Sequence, residues 1–350
     1  MNLDVSEEAT TIRQVMLMAE MIRSHCFNVF FMTLPDLFAM TSQLANKDLL
    51  GISHVKPAIA EMTRELLWCS EKILEILGGR SVHPISSIVG GISKPVSRES
   101  QEELLRTVKN STKSSRSVTD LVHELIKAAG NQYELFNVRD NVEYVTCLDP
   151  SPGRAFYGGS LKTFNSMTRR WTRANAAEMI SRHRSGKYRT GNQHLLTGPM
   201  ARSATAQDSH QTRTNTEAEL NLLAINSLRA EEMAHSIMRS IELLENQDLS
   251  RTPTRTNIGN LSGAGYGAVE APRGTLIHYY EFRRARVTAA RILTPTEINA
   301  ACISDCVNQV ASRCSDAGLL MDDVLDKAKA SVRLLDPCVS CVTHTRIAHV

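Results

Sequence analysis

From Ile12 to Met32 apolar residues recur at Ile12, Val15, Met16, Ala19, Ile22, Cys26, Val29 and Phe30. That three-to-four spacing lays one unbroken buried stripe along a long helix. A stripe of this length needs partners of similar length, and the chain supplies them. A second helical run spans Val55 to Leu77 and stops at Gly78-Gly79, while a third opens at Ser100, with Glu103 in capping-box spacing, and ends near Gly130. A fourth carries Leu220, Leu223, Ile225, Leu228, Met233, Ile237, Ile241 and Leu244 on one face. Helices like these bury their stripes only against one another, so the core is expected to be a helical bundle.

Between about Val138 and Met200 the pattern changes to short β-prone pieces, Val142–Val145 and Arg154–Tyr157, broken by Pro150, Pro152, Gly153, Gly158 and Gly159. The fold class is therefore mainly α with an α+β insertion. The division expected is bundle over 1–135, insertion over 136–216 and further bundle helices over 217–350. In the last part a Gly-rich approach, Gly263 to Gly267, leads to a short strand at Thr275–Tyr280, followed by helices near Pro295–Cys314 and Met321–Leu335.

The chain has 350 residues, 42% of them hydrophobic, enough for a core of this size. A net charge of +3 is too small to argue for a polyanion as the main partner. No window approaches the ~18 consecutive apolar residues of a membrane span. Asp4, Glu7 and Glu8 stand where a secretory signal carries basic residues, so the address expected is cytoplasmic. Eight cysteines at this length are too sparse for a disulfide-stapled domain and read as buried thiols or metal ligands.

The sharpest cysteine signal is Asp336-Pro337-Cys338-Val339-Ser340-Cys341-Val342-Thr343-His344, a CxxC whose second cysteine opens a CxxH. Two thiolates so spaced can grip one soft metal, with nickel, iron and zinc all compatible. Inert buried thiols and half of a zinc site are open readings of the motif taken alone.

A second stretch, Glu270-Ala271-Pro272-Arg273-Gly274-Thr275-Leu276-Ile277-His278, adds to it. EAPRGxLxH followed by DPCxxCxxH resembles the C-terminal half of nickel-iron hydrogenase large subunits. Ser24-His25 through Leu34-Pro35-Asp36, His83-Pro84 with Gly90-Gly91, and Gly198-Pro199-Met200-Ala201-Arg202 are similar to further landmarks of that family in the expected order. The resemblance implies a hydrogenase-like bundle core and a nickel-iron centre whose iron carries carbon monoxide and cyanide. It implies Cys338 as a terminal nickel ligand, Cys341 as a nickel-iron bridge, and His344 as a ligand of a separate cation, magnesium or iron. Asp336, Arg273, Pro272 and Asp36 would surround the metals. A guanidinium is a poor base, so Arg273 is expected to act as a fixed positive charge beside Asp336, with the Cys338 thiolate taking the proton.

By the same resemblance, dihydrogen is split heterolytically and electrons leave through an iron-sulfur small subunit. The group of relatives suggested is the soluble one that works with diaphorase, deazaflavin or heterodisulfide reductase modules. The six residues Thr345 to Val350 suggest a tail for a maturation protease. The family's other cysteine pair, RxCGxC, has no counterpart after Met1, which leaves activity of the isolated chain in doubt and keeps open a non-catalytic scaffold or assembly protein of the same fold. Cys302 and Cys306 share one helix face and are the alternative thiol pair, although core packing accounts for them equally well. Cys26, Cys69 and Cys147 read as small buried hydrophobes, and His25, His83, His235 and His278 as core histidines. A basic stretch from Lys162 to Arg189, with Trp171 and Tyr188, reads as a solvated or docking face rather than a nucleic-acid site.

Overall fold

The computed structural model describes residues 5–41, 48–147, 156–157, 159–184, 189–190, 193–206, 219–251 and 262–338. Helix α1 (Glu7–Cys26) starts on Ser6, whose side chain accepts from the Ala9 N–H, with Glu7 and Glu8 complementing the helix dipole in the first turn. The predicted single run to Met32 is not one regular helix. Phe27–Thr33 is π-helical, and α2 (Leu34–Thr41) follows. Next come α3 (Leu49–Val55) and α4 (Pro57–Gly78). Helix α4 opens on a proline and closes on Gly79 at φ +82°, the left-handed cap that glycine adopts without strain.

A short ladder, β1 (Ser87–Ile88) with β2 (Gly91–Ile92), leads to α5 (Arg98–Asn110) and α6 (Thr112–Ala128). The run expected from Ser100 is thus two helices, broken at Ser111. The cap is Ser97 rather than Ser100, and Glu103 binds Lys72 Nζ at 2.8 Å instead of closing a capping box.

Strand β3 (Asn137–Arg139) precedes β4 (Val142–Thr146), β5 (Lys162–Asn165), β6 (Arg170–Arg173), α7 (Ala176–Arg184), β7 (Arg189–Thr190) and β8 (Gln193–Leu196). The last five strands form one sheet in the order β6-β5-β4-β8-β7, with β4 and β8 parallel. The strand expected at Arg154–Tyr157 is not found where described. Phe156 lies outside any strand, edge-on to His235 at 5.5 Å, and 154–155 fall outside the described residues. Trp171 packs on Phe164 at 4.7 Å, so its ring serves the sheet.

After α8 (Pro199–Ala206), β9 (Glu219–Asn221) pairs antiparallel with β3, and α9 (Ala224–Asn246) enters the bundle. It packs on α1, α5 and α6, and α1 also packs on α4. The Gly-rich approach proves to be a strand. β10 (Gly263–Ala271), β11 (Gly274–Arg283) and β12 (Arg286–Leu293) make a three-stranded antiparallel sheet, longer than the single strand predicted. Helices α10 (Pro295–Asp316) and α11 (Met321–Leu335) pack together and run close to their predicted bounds. Thr294 and Glu297 close a reciprocal capping box at the start of α10. A second small core of Val145, Leu161, Leu195, Ile277, Leu293 and Ile298 joins the five-stranded sheet to β11 and α10. Among the described residues no helix is long and apolar enough to cross a membrane.

Candidate metal-centre mouth

Pro272 and Arg273 form the tight turn between β10 and β11, where Glu270 pairs with Thr275 and Ala271 with Gly274. The turn is pressed onto the start of α8. A Cβ on Gly274, at φ +135°, would strike the Thr197 side chain and come within 2.8 Å of Gly198 N. A Cβ on Gly198, at φ +111°, would lie 2.8 Å from Arg273 O. Only glycine satisfies both the backbone angles and the spacing.

Arg202 holds the turn from beneath. It is 0% exposed and donates from NH1 to Ala271 O at 3.1 Å and from NH2 to Pro272 O at 2.9 Å. Its fork also meets Glu232, Nε to Oε1 at 2.8 Å and NH2 to Oε2 at 2.7 Å, and NH1 reaches Glu270 Oε2 at 3.0 Å. Burial opposes the arginine's charge, but the two carboxylates outweigh it and hold the guanidinium firmly protonated. Burial likewise opposes ionisation of Glu232, and Arg202 and His25 outweigh it, keeping the carboxyl well below its usual range. His25 Nε2 lies 2.8 Å from Glu232 Oε2, and burial pushes the imidazole below its ordinary value.

Glu270 also accepts from Thr275 Oγ1 at 2.7 Å, Cys147 N at 2.9 Å and Thr146 Oγ1 at 3.1 Å. Burial and the Glu270 charge push the Cys147 thiol up, so it stays protonated.

Above this support, Arg273 Nε meets Asp336 Oδ2 at 3.1 Å and Asp336 O at 3.2 Å, across 63 positions of sequence. Asp336 closes α11 in the left-handed region, φ 52°, and is buried. Two residues on, the half-buried Cys338 donates its backbone N–H to Thr296 Oγ1 at 2.9 Å, fixing it against the start of α10. Its sulfur is disulfide-bonded, the oxidised counterpart of the thiolate that a metal takes. The structure thus brings Pro272, Arg273, Asp336 and Cys338 to one mouth. Cys341 and His344 lie outside the described residues.

Asp36 is engaged elsewhere on the same helix. Both its oxygens accept from Arg333, each at 2.7 Å, and burial raises its carboxyl despite that pairing. Cys302 and Cys306 have sulfurs 3.8 Å apart in the bundle core. Cys302 lies six positions beyond Thr296 on α10, about 9 Å along the axis, too far to share a metal with Cys338. Cys26 and Cys69 are buried with their thiols pushed up, Cys69 to about 12. His83, expected in apolar surroundings, is exposed at φ 52°.

Two buried groups were not singled out from the sequence. Arg229 is 2% exposed, and burial lowers it to about 10 against the pull of Asp336 and Glu232. Glu232 is the hub just described. The available signal was polar residues at helical spacing inside α9, Asn226, Arg229, Glu232, Ser236 and Ser240, all of them buried.

As a donor set, Cys338 offers one soft ligand beside a guanidinium and a carboxylate, which fits a thiolate-bound nickel-iron centre. Among the described residues no group of three or more His, Cys, Asp or Glu side chains is gathered to hold a metal on its own.

Residues 175–344 match the family of nickel-dependent hydrogenases. One component of the F420-non-reducing hydrogenase vhc of Methanococcus voltae is 26% identical, over 97% of this chain and 78% of that protein. The beta subunit of the NAD-reducing hydrogenase HoxS of Cupriavidus necator is 25% identical, over 97% of this chain and 77% of its own. The solved structure of an NAD+-reducing [NiFe]-hydrogenase in the H2-reduced state superposes with a TM-score of 0.84 at 21% identity, over 97% of this chain and 81% of that one. The architecture is that of hydrogenase large subunits. The chain is a homologue of the nickel-iron hydrogenase large-subunit family.

Proposed function

We propose that this chain is the catalytic large subunit of a cytoplasmic nickel-iron hydrogenase, catalysing reversible heterolytic oxidation of dihydrogen with electrons passed to an iron-sulfur small subunit. The observation that carries the reading is the meeting of Arg273 with Asp336, which sets the EAPRG turn over the helix end that bears Cys338. Cys338 and Cys341 would hold the metals and His344 a separate magnesium or iron. When bound, the nickel-iron pair, with carbon monoxide and cyanide on iron, supplies the redox and Lewis-acid chemistry.

The protein's own residues do the rest. The Cys338 sulfur, reduced to a thiolate, receives the proton. Arg273 stays cationic and fixes Asp336 by a charge-assisted hydrogen bond. Arg202 clamps the carbonyls of Ala271 and Pro272, so the turn cannot drift from the helix end. A diaphorase, deazaflavin or heterodisulfide reductase module would receive the electrons downstream, and a maturation protease would act on the tail.

The test is nickel and iron per chain, clusters counted separately, in protein purified anaerobically from its source with its partners, alongside hydrogen-deuterium exchange of dihydrogen. About one nickel and one iron with exchange activity is the expected result. Zinc alone, or no metal and no exchange, overturns it in favour of a non-catalytic scaffold of this fold.

A further inference from the structure

Several buried polar atoms without partners gather on one wall of the bundle. Helix α1 with its π-helical continuation runs antiparallel to α9, and two hydrogen bonds fix the register. His25 Nε2 meets Glu232 Oε2 at 2.8 Å, and Thr33 Oγ1 donates to Asn226 Oδ1 at 2.9 Å. Midway between these links Asn28 faces Arg229. Arg229 Nε and NH1, Asn28 Oδ1 and Asn226 Nδ2 have no hydrogen-bond partner, although the three residues are at most 2% exposed. Asn28 Nδ2 is already given to Arg333 O at 2.9 Å, on the last turn of α11, which ties the wall to the helix that Asp336 closes. Asp336 is also the charge that acts most strongly on Arg229, yet no hydrogen bond joins the two side chains.

Buried polar atoms are rarely left unpaired, and a charged donor least of all. Arg229 is kept for its charge, because Arg202 alone faces two carboxylates, Glu232 and Glu270. Its donors still need acceptors. Water accepts from Arg229 and Asn226 and donates to Asn28 Oδ1 and the Asp336 carboxylate. An anion would set like charge against both oxygens.

We propose that Arg229, Asn28 and Asn226 enclose an internal water site, and that this water fixes Asp336 beside Arg273, making Arg229 a positioning residue. The value of holding Asp336 rests on the hydrogenase reading, whereas the water site does not.

Nuclear magnetic resonance of the full, reduced chain tests it, with arginine Nε–H signals assigned by the loss of one signal each in Arg229→Lys and Arg273→Lys. Expected in the wild type is a cross-peak between long-lived water and the Arg229 Nε–H. In Asn28→Leu that cross-peak is lost, and the Arg273 Nε–H signal, bonded to Asp336, shifts or broadens. An Arg229 Nε–H protected from exchange with no water cross-peak overturns the site, even if Asn28→Leu does not fold. Loss of the cross-peak with an unmoved Arg273 signal overturns the positioning role. Neither readout depends on nickel content, so failure here is separable from failure of the hydrogenase reading.

Discussion

Replacing Arg202 by methionine removes a guanidinium that donates five hydrogen bonds, three to carboxylate oxygens and two to the carbonyls of Ala271 and Pro272. Glu270 keeps three other donors, Thr146, Cys147 and Thr275. Glu232 keeps only the His25 ring among these contacts, so the damage centres there. Breaking a buried ion pair by deleting one partner costs about 3–5 kcal/mol, and each orphaned carbonyl adds about 1 kcal/mol. Against a total stability of roughly 5–15 kcal/mol that is a large fraction, equivalent to a fall in Tm of about 10 °C or more. Denaturant unfolding under reducing conditions measures it, with an unchanged slope showing that the two folded states are comparable. Adding Glu232→Gln to Arg202→Met should recover part of the loss by removing the uncompensated charge. A cost below about 1 kcal/mol, or no recovery in the double variant, would refute the view that this network holds the turn.

Glu232 and His25 both titrate below their ordinary values in the fold, so each contributes stability at high pH that is lost as pH falls. The His25 share should begin to disappear as pH drops through 6.5 and the Glu232 share below 4.5, with His25→Gln flattening the first part of a stability-pH curve. Gly274→Ala should cost about 2–4 kcal/mol, and Thr197→Ser should not rescue it in thermal melts, because the backbone of Gly198 obstructs the new methyl as well. Cys302→Ala should leave the nickel content of purified protein unchanged and cost about 1–2 kcal/mol, whereas Cys338→Ser should abolish nickel. Thr294→Ala should lower stability by about 1 kcal/mol through loss of the capping box, readable as a small Tm shift.

The helices announced themselves because their apolar spacing and end signals agree. Thr294-Pro295 with Glu297 and the left-handed Gly79 mark boundaries that the structure repeats. The break at Ser111 was hidden because α5 and α6 keep one apolar face through it, with Val108 and Ser115 both buried. β10 was hidden for the opposite reason. Its alternate positions Gly263, Gly265 and Gly267 carry no side chain, so a strand looks like a loop. At the candidate site, Arg273, Asp336 and Cys338 were legible from motif spacing. Their supporting shell was less so, since Arg229 and Glu232 are charged residues in a helix and charge ordinarily points to solvent.

The π-helical turn from Phe27 to Thr33 has a consequence for chain length. A π segment is an α-helix that has taken in an extra residue, and each residue turns an α-helix by about 100°. Losing a single residue there would swing α2 around its axis, carry Asp36 off Arg333 and move Thr33 off Asn226. Insertions and deletions tolerated over evolution should therefore accumulate in the connections beyond Thr41, while the count of residues between His25 and Asp36 stays constant.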